Sequence, residues 1–130
     1  MCGWIAVIGR HGQACPPEAV ERALGALVHR GPDDRGVYQA GNVTLGFRRL
    51  AIVDLTPAGH QPMLSADQQT VVVFNGEIYN HAELRFELQR AGARFVSSCD
   101  TEVLLEAYRH WGPDCVHRFN GMFSFLVYDR

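Results

Sequence analysis

The sequence predicts an α+β domain, with helices packed against a largely antiparallel sheet or pair of sheets. Three observations lead there. The predicted elements run strand, helix, hairpin, strand, helix, helix, strand, which is not the regular alternation of a βαβ series. Trp4 to Ile8 and Val71 to Phe74 are continuous apolar runs, the pattern of strands buried on both faces. Gly41-Asn42 joins two short β-prone runs and suits a two-residue hairpin loop, so those strands must be antiparallel.

Composition sets the broad class. The 130 residues fit one domain and are enough to bury a core, and 47% hydrophobic with 20% charged residues is ordinary for a globular chain. Twelve basic and fourteen acidic residues leave a formal charge of -2, with no basic cluster interleaved with aromatics, so nucleic acid is not expected as a partner. The first apolar run is too short for a signal peptide or membrane span and follows no basic segment. No membrane association is expected, and a cytoplasmic location is. Cys2, Cys15, Cys99 and Cys115 form no C-x-x-C pair and meet no His at ligand spacing. Free thiols are therefore expected, and no metal.

In chain order, Trp4–Ile8 is a strand closed by Gly9. Pro16-Pro17-Glu18 starts a helix whose Val20, Leu24, Leu27 and Val28 share a face, and which is expected to reach about His29. Gly31-Pro32-Asp33-Asp34 turns the chain. Val37–Ala40 and Val43–Phe47 form the hairpin, Leu50–Leu55 continues extended, and the stretch through Pro62 is a returning loop. The strand Val71–Phe74 is expected to end at Asn75-Gly76. Asn80 with Glu83 resembles a capping box before a helix stopped by Gly92, and Phe95-Val96 reads as a short strand. Asp100 or Thr101 caps a last helix, striped by Val103, Leu104, Ala107, Tyr108 and Trp111, that runs to Gly112-Pro113. The final run, Met122–Val127, is strongly β-prone and wants a neighbour on each side. The 130 residues are therefore expected to be a fragment of a longer chain, or to have their sheet completed by a partner. Alone they are expected to be marginally stable or aggregation-prone.

Four places carry potential chemistry. If Met1 is removed, Cys2 holds a thiol and a free α-amine on one residue, a nucleophile with its own base; a Met-Cys start also arises by accident. Asn75-Gly76-Glu77 is either a tight turn or an oxyanion hole, made by a carboxamide N–H and the backbone N–H of a glycine that lets substrate approach. Arg49, beside Arg48, is either half of a solvated charge pair or a bidentate partner for a carboxylate. Asp100 serves as a helix cap, as a receiver for a substrate ammonium group, or as both. A thiol, an oxyanion hole, one Arg and one or two acids together suit an amino acid with an amide side chain, and glutamine answers that description.

Met1-Cys2-Gly3, His29-Arg30-Gly31-Pro32-Asp33, Arg49-Leu50-Ala51-Ile52-Val53-Asp54, Gly59-His60-Gln61-Pro62, Asn75-Gly76-Glu77-Ile78-Tyr79-Asn80, Asp100-Thr101-Glu102 and Asn120-Gly121-Met122-Phe123 occur in this order. Together they resemble the N-terminal glutaminase domain of glutamine-hydrolysing asparagine synthetases. Those are class II glutamine amidotransferases among the N-terminal-nucleophile hydrolases. The resemblance spans essentially the whole chain, and Arg49 to Pro62 looks like asparagine synthetase rather than the phosphoribosylamine- or glucosamine-phosphate-forming relatives.

The resemblance implies an αββα sandwich of mainly antiparallel sheets, with residues 1–130 forming an incomplete type-2 amidotransferase domain. It implies Cys2 as nucleophile with its α-amine as base, and Asn75 and Gly76 as the oxyanion hole. Arg49 would hold the glutamine α-carboxylate, with Glu77, Asp100 and backbone groups of Leu50, Ile52 and Val53 around the rest of the amino acid. The glutaminase half needs no cofactor. ATP and Mg would serve a C-terminal synthetase domain or subunit, which is not in this sequence, and the full enzyme would be a homodimer. A glutaminase serving another acceptor and a non-catalytic binding module are the alternatives. Trp4 and Ala6 stand where the family has a smaller aliphatic residue and Gly, and either could tighten the pocket.

Overall fold

The computed structural model describes residues 2–52 and 55–130. Its regular elements are β1 (Gly3–Ile8), α1 (Pro17–Ala26), β2 (Asp34–Ala40), β3 (Val43–Arg49), β4 (Met63–Leu64), β5 (Thr70–Ile78), α2 (His81–Arg90), α3 (Asp100–Trp111) and β6 (Gly121–Asp129). Short 3-10 turns lie at Arg10–Gly12, Pro57–Gly59 and Gly112–Arg118.

Two three-stranded antiparallel sheets result, in the orders β1-β3-β2 and β4-β5-β6. Period-two alternation divides their side chains between layers. Val43, Leu45 and Phe47 of β3 meet Val71 and Val73 of β5 between the sheets, with Trp4 and Ala6 packed at the side. Val72, Phe74 and Ile78 face the other way, against Leu84 and Leu88 of α2 and Val103, Leu104 and Ala107 of α3. On the outer face of the first sheet, Leu24 of α1 and Ile5 crowd Gly46, where a Cβ would overlap Ile5 and press on Leu24. The layers are helix, sheet, sheet, helix: the expected αββα sandwich.

The differences from the sequence reading have local causes. Among the described residues β1 pairs with β3 alone and lies at the sheet edge, so Trp4 to Val7 are half-buried and Ile8 is 71% exposed rather than sealed on both faces. β5 is enclosed on both faces, and so is β3, where Thr44 and Gly46 are buried as well as Leu45 and Phe47. α1 stops at Ala26, after Gly25, and the chain tightens into turns in which Leu27 and Val28 donate to Leu24 and Gly25. The Asn75-Gly76 pair does not end β5; the ladder with β6 runs unbroken from Thr70↔Asp129 to Ile78↔Gly121. An Asn-Gly turn needs positive φ at both residues, and only Gly76 has it here, so strand pairing overrides the local preference. Phe95-Val96 forms no strand. Asn80 makes no capping bond, because its carboxamide accepts from Asn120 N–H (2.9 Å) and donates to the Arg118 carbonyl (2.9 Å).

Candidate active site

A cavity of about 190 Å³ opens where the ends of β1, β3 and β5 meet the start of α3. Cys2, Arg49, Leu50, Ile52, Asn75, Gly76, Glu77 and Asp100 all line it. Val53 lies outside the described residues, as does Met1.

Cys2 leads into β1 and is partly buried. Its Sγ accepts from the Leu50 N–H at 3.3 Å and faces the Leu50 carbonyl at 3.6 Å, while its own carbonyl accepts from Arg30 Nε at 3.0 Å. The thiol is thus held beside the chain that leaves β3. Leu50 presents its backbone polar groups to the thiol, a contact the sequence reading did not anticipate.

Arg49 is the last residue of β3 and is 8% exposed, so it is no solvated charge pair. Its Nη1 donates to the Thr56 carbonyl at 2.9 Å, and its guanidinium lies so close to Gly59 that any Cβ there would overlap it. The neighbouring Arg48 donates through Nε to the Leu24 carbonyl of α1 (3.1 Å). One guanidinium is aimed at the cavity and the other braces a helix.

On β5 the alternation that puts Val71 and Val73 between the sheets puts Asn75 on the same face, the face that Cys2 shares. Gly76 has φ +153, and a Cβ would collide with the Met122 carbonyl and with Phe123 of β6. Only glycine fits. Glu77 and Ile52 are exposed at the cavity's open side.

Asp100 is the first residue of α3, while Cys99 occupies the cap position without a side-chain bond. The capping role is therefore not Asp100's. Its Oδ2 accepts instead from Ile78 N–H at 3.0 Å, across to β5. Burial pushes this carboxyl above its ordinary value, and the hydrogen bonds from Ile78 and from the helix start work against that rise.

The sequence relationships agree with this geometry. The family model of the glutamine amidotransferase domain matches residues 1–130. The chain belongs to that family. It is 41% identical over 133 residues to asparagine synthetase [glutamine-hydrolyzing] 1 of Bacillus subtilis, covering 100% of this chain and 21% of that one. It is also 41% identical over 145 residues to a putative asparagine synthetase [glutamine-hydrolyzing] of Mycobacterium tuberculosis, covering 99% and 22%. The chain thus spans about a fifth of the length of these relatives. Among solved structures, the B. subtilis glutamine phosphoribosylpyrophosphate amidotransferase complexed with ADP and GMP superposes with a TM-score of 0.79 at 20% identity, over 99% of this chain and 35% of that chain. At that identity the likeness establishes the fold.

This amidotransferase domain also builds its cavity from residues given no part in the site at the sequence level. Gln61, Gly59, Phe74, Cys99, Thr101 and Met122 line it, and Arg30 anchors the Cys2 carbonyl. Arg30, Gly59, Gln61, Thr101 and Met122 lie within the quoted motifs, which was the available signal. Trp4 and Ala6 do not line the cavity. The Trp4 indole reaches across the sheets to Ser124 of β6, donating to its hydroxyl (3.2 Å) and carbonyl (3.3 Å). The described residues contain no group of three or more His, Cys, Asp or Glu able to hold a metal.

Proposed function

We propose that this domain hydrolyses the side-chain amide of glutamine through a Cys2 thioester. The observation that carries the reading is the convergence, in one cavity, of a thiol, the Asn75-Gly76 strand, a buried guanidinium and a buried carboxylate from four separate stretches. Arg49 takes the α-carboxylate and Asp100 the α-ammonium group, which leaves the side-chain amide to reach Cys2. With Met1 removed, the α-amine of Cys2 accepts the thiol proton as Sγ attacks the amide carbon. The tetrahedral oxyanion is received by the Asn75 carboxamide and the Gly76 N–H. Collapse breaks the C–N bond, and the proton passes from the α-amine to the departing ammonia. Water, deprotonated by the same amine, then cleaves the thioester to release glutamate and restore the thiol.

The similarity to asparagine synthetases supports a wider reading, in which the ammonia amidates aspartate in a synthetase domain or subunit that supplies the ATP and Mg chemistry. The glutaminase step asks for no cofactor. A cytoplasmic location and a homodimeric full-length enzyme go with this reading.

The test is direct. Intact mass establishes whether Met1 has been removed. The processed protein is expected to release glutamate and ammonia from glutamine and to be labelled on Cys2 by a glutamine-mimicking electrophile, whereas Cys2→Ala loses ~10³-fold or more of the activity. Equal labelling or turnover in Cys2→Ala would overturn the reading, and glutamine binding without turnover by the processed protein would leave a binding module.

A further inference from the structure

One buried carboxamide holds together the two halves of the cavity that face each other. The β4–β5 register pairs Met63 with Val72 and Leu64 with Val71. Carried two residues further, it places Gln61 opposite Phe74. The main chain does not continue the ladder there, and the intervening Pro62 has no N–H to offer. The side chain of Gln61 continues it instead: Oε1 accepts from Phe74 N–H at 2.7 Å, and Nε2 donates to the Phe74 carbonyl at 3.2 Å. The same Nε2 donates to Thr101 Oγ1 at 3.1 Å. Gln61 is 5% exposed and Thr101 4%, so these bonds form away from water, where an unmade one is costly.

The partners' positions give the arrangement its meaning. Phe74 immediately precedes Asn75, and Thr101 immediately follows Asp100. A second tie runs between the same two segments, from Ile78 N–H to Asp100 Oδ2 at 3.0 Å. Asn75, Gly76 and Glu77 are therefore suspended between two clamps to the start of α3, one at each end. We propose that Gln61 is a positioning residue that fixes the Asn75-Gly76 donors relative to Asp100, so that the group stabilising the oxyanion and the group receiving the substrate ammonium keep one separation. This inference rests on the glutaminase reading above. Its consequence is kinetic: loosening the clamp displaces the oxyanion donors, which act only in the transition state, and leaves the Arg49 contact with the carboxylate in place.

The experiment compares the Met1-processed wild-type chain with Gln61→Met, which keeps volume and removes all three bonds, and with Thr101→Val and Thr101→Ser. Gln61→Met is expected to lower kcat by on the order of 10- to 100-fold with KM changed less than about threefold. Hydrogen exchange should accelerate at Phe74–Gly76 and not in β3. Thr101→Val should lose part of that kcat, Thr101→Ser should recover most of the loss, and the loss in the Gln61→Met/Thr101→Val double variant should be less than additive. Unchanged kcat in Gln61→Met, or a lowered melting temperature with wild-type kcat below the melt, would reduce Gln61 to a structural residue and overturn the proposal. Wild-type protein inert to glutamine would overturn the glutaminase reading itself, a result read before any variant is made.

Discussion

Gly76 is where backbone and chemistry are least separable. Its φ of +153 and its approach to the Met122 carbonyl leave no room for a side chain. Gly76→Ala is expected to cost about 2–3 kcal/mol in denaturant unfolding and, on the proposed function, to abolish glutamine turnover, because the strand must part from β6 at a residue that lines the cavity. Asp100 gives a different signature. Burial raises its folded pKa above the ordinary 3.8, so the folded state holds the proton more tightly than the unfolded chain does. Stability therefore falls as pH rises from the ordinary value through the raised one, and the loss is complete above it. Asp100→Asn keeps an oxygen for Ile78 N–H; it is expected to flatten that slope in melts taken from acid to neutral pH, and to raise the KM for glutamine. Places at the cavity were legible where chemistry restricts residue type, as at Cys2, Arg49 and Gly76, all of which line it. They were illegible at Gln61 and Arg30, whose work is done by partners 13 and 28 residues away.

The segment that joins α2 to α3 shows how an irregular stretch is held still. Glu102 of α3 accepts from the N–H groups of Val96 and Ser97 and from the Ser97 hydroxyl, at 2.6 to 2.8 Å. From the other side Arg85 of α2 donates to the carbonyls of Ser97 and Cys99, and its guanidinium lies 4.3 Å from the Phe95 ring centroid. Through this stretch the Val96 and Ser97 N–H groups and the Ser97 and Cys99 carbonyls are met by side chains rather than by a neighbouring strand. Glu102→Ala is expected to destabilise the fold by about 3 kcal/mol in chemical denaturation and to weaken glutamine binding, since the braced loop delivers Cys99, Asp100 and Thr101 to the cavity. The two later helices were readable because their apolar periodicity agrees with their burial, and the hairpin and β6 because of the Gly41-Asn42 turn and their β-prone residues, although β3 also buries Thr44 and Gly46 on its second face and Met122 of β6 is 72% exposed. The two-residue β4 was not, because so short a strand is set by its partner and not by a pattern of its own. The end of α1 was misjudged for a related reason, as Leu27 and Val28 keep the helical spacing beyond the point where the helix has stopped.

At the scale of the whole molecule, layering sorts the thiols. Cys99 and Cys115 lie in the core beside α3, and burial pushes both thiols up, which keeps them protonated at neutral pH. Cys2 and Cys15 are only partly buried. Iodoacetamide under native conditions is expected to modify Cys2 and Cys15 well before the other two, with glutamine protecting Cys2 and not Cys15, as peptide mapping would show. The αββα order was predictable from the resemblance, while the assignment of β1 to a sheet edge depends on pairings that no local pattern encodes.

The cavity draws its walls from both ends of the chain, from Cys2 to Met122. During synthesis at roughly 5–20 residues per second, Cys2 therefore leaves the ribosome several seconds before β6 can pair with β5. Throughout that interval Cys2 has neither a paired Gly76 nor the folded start of α3 beside it. Under the proposed glutaminase reading, removal of Met1 and completion of the pocket are separate events in time, and a ribosome stalled before β6 is expected to display Cys2 without its cavity.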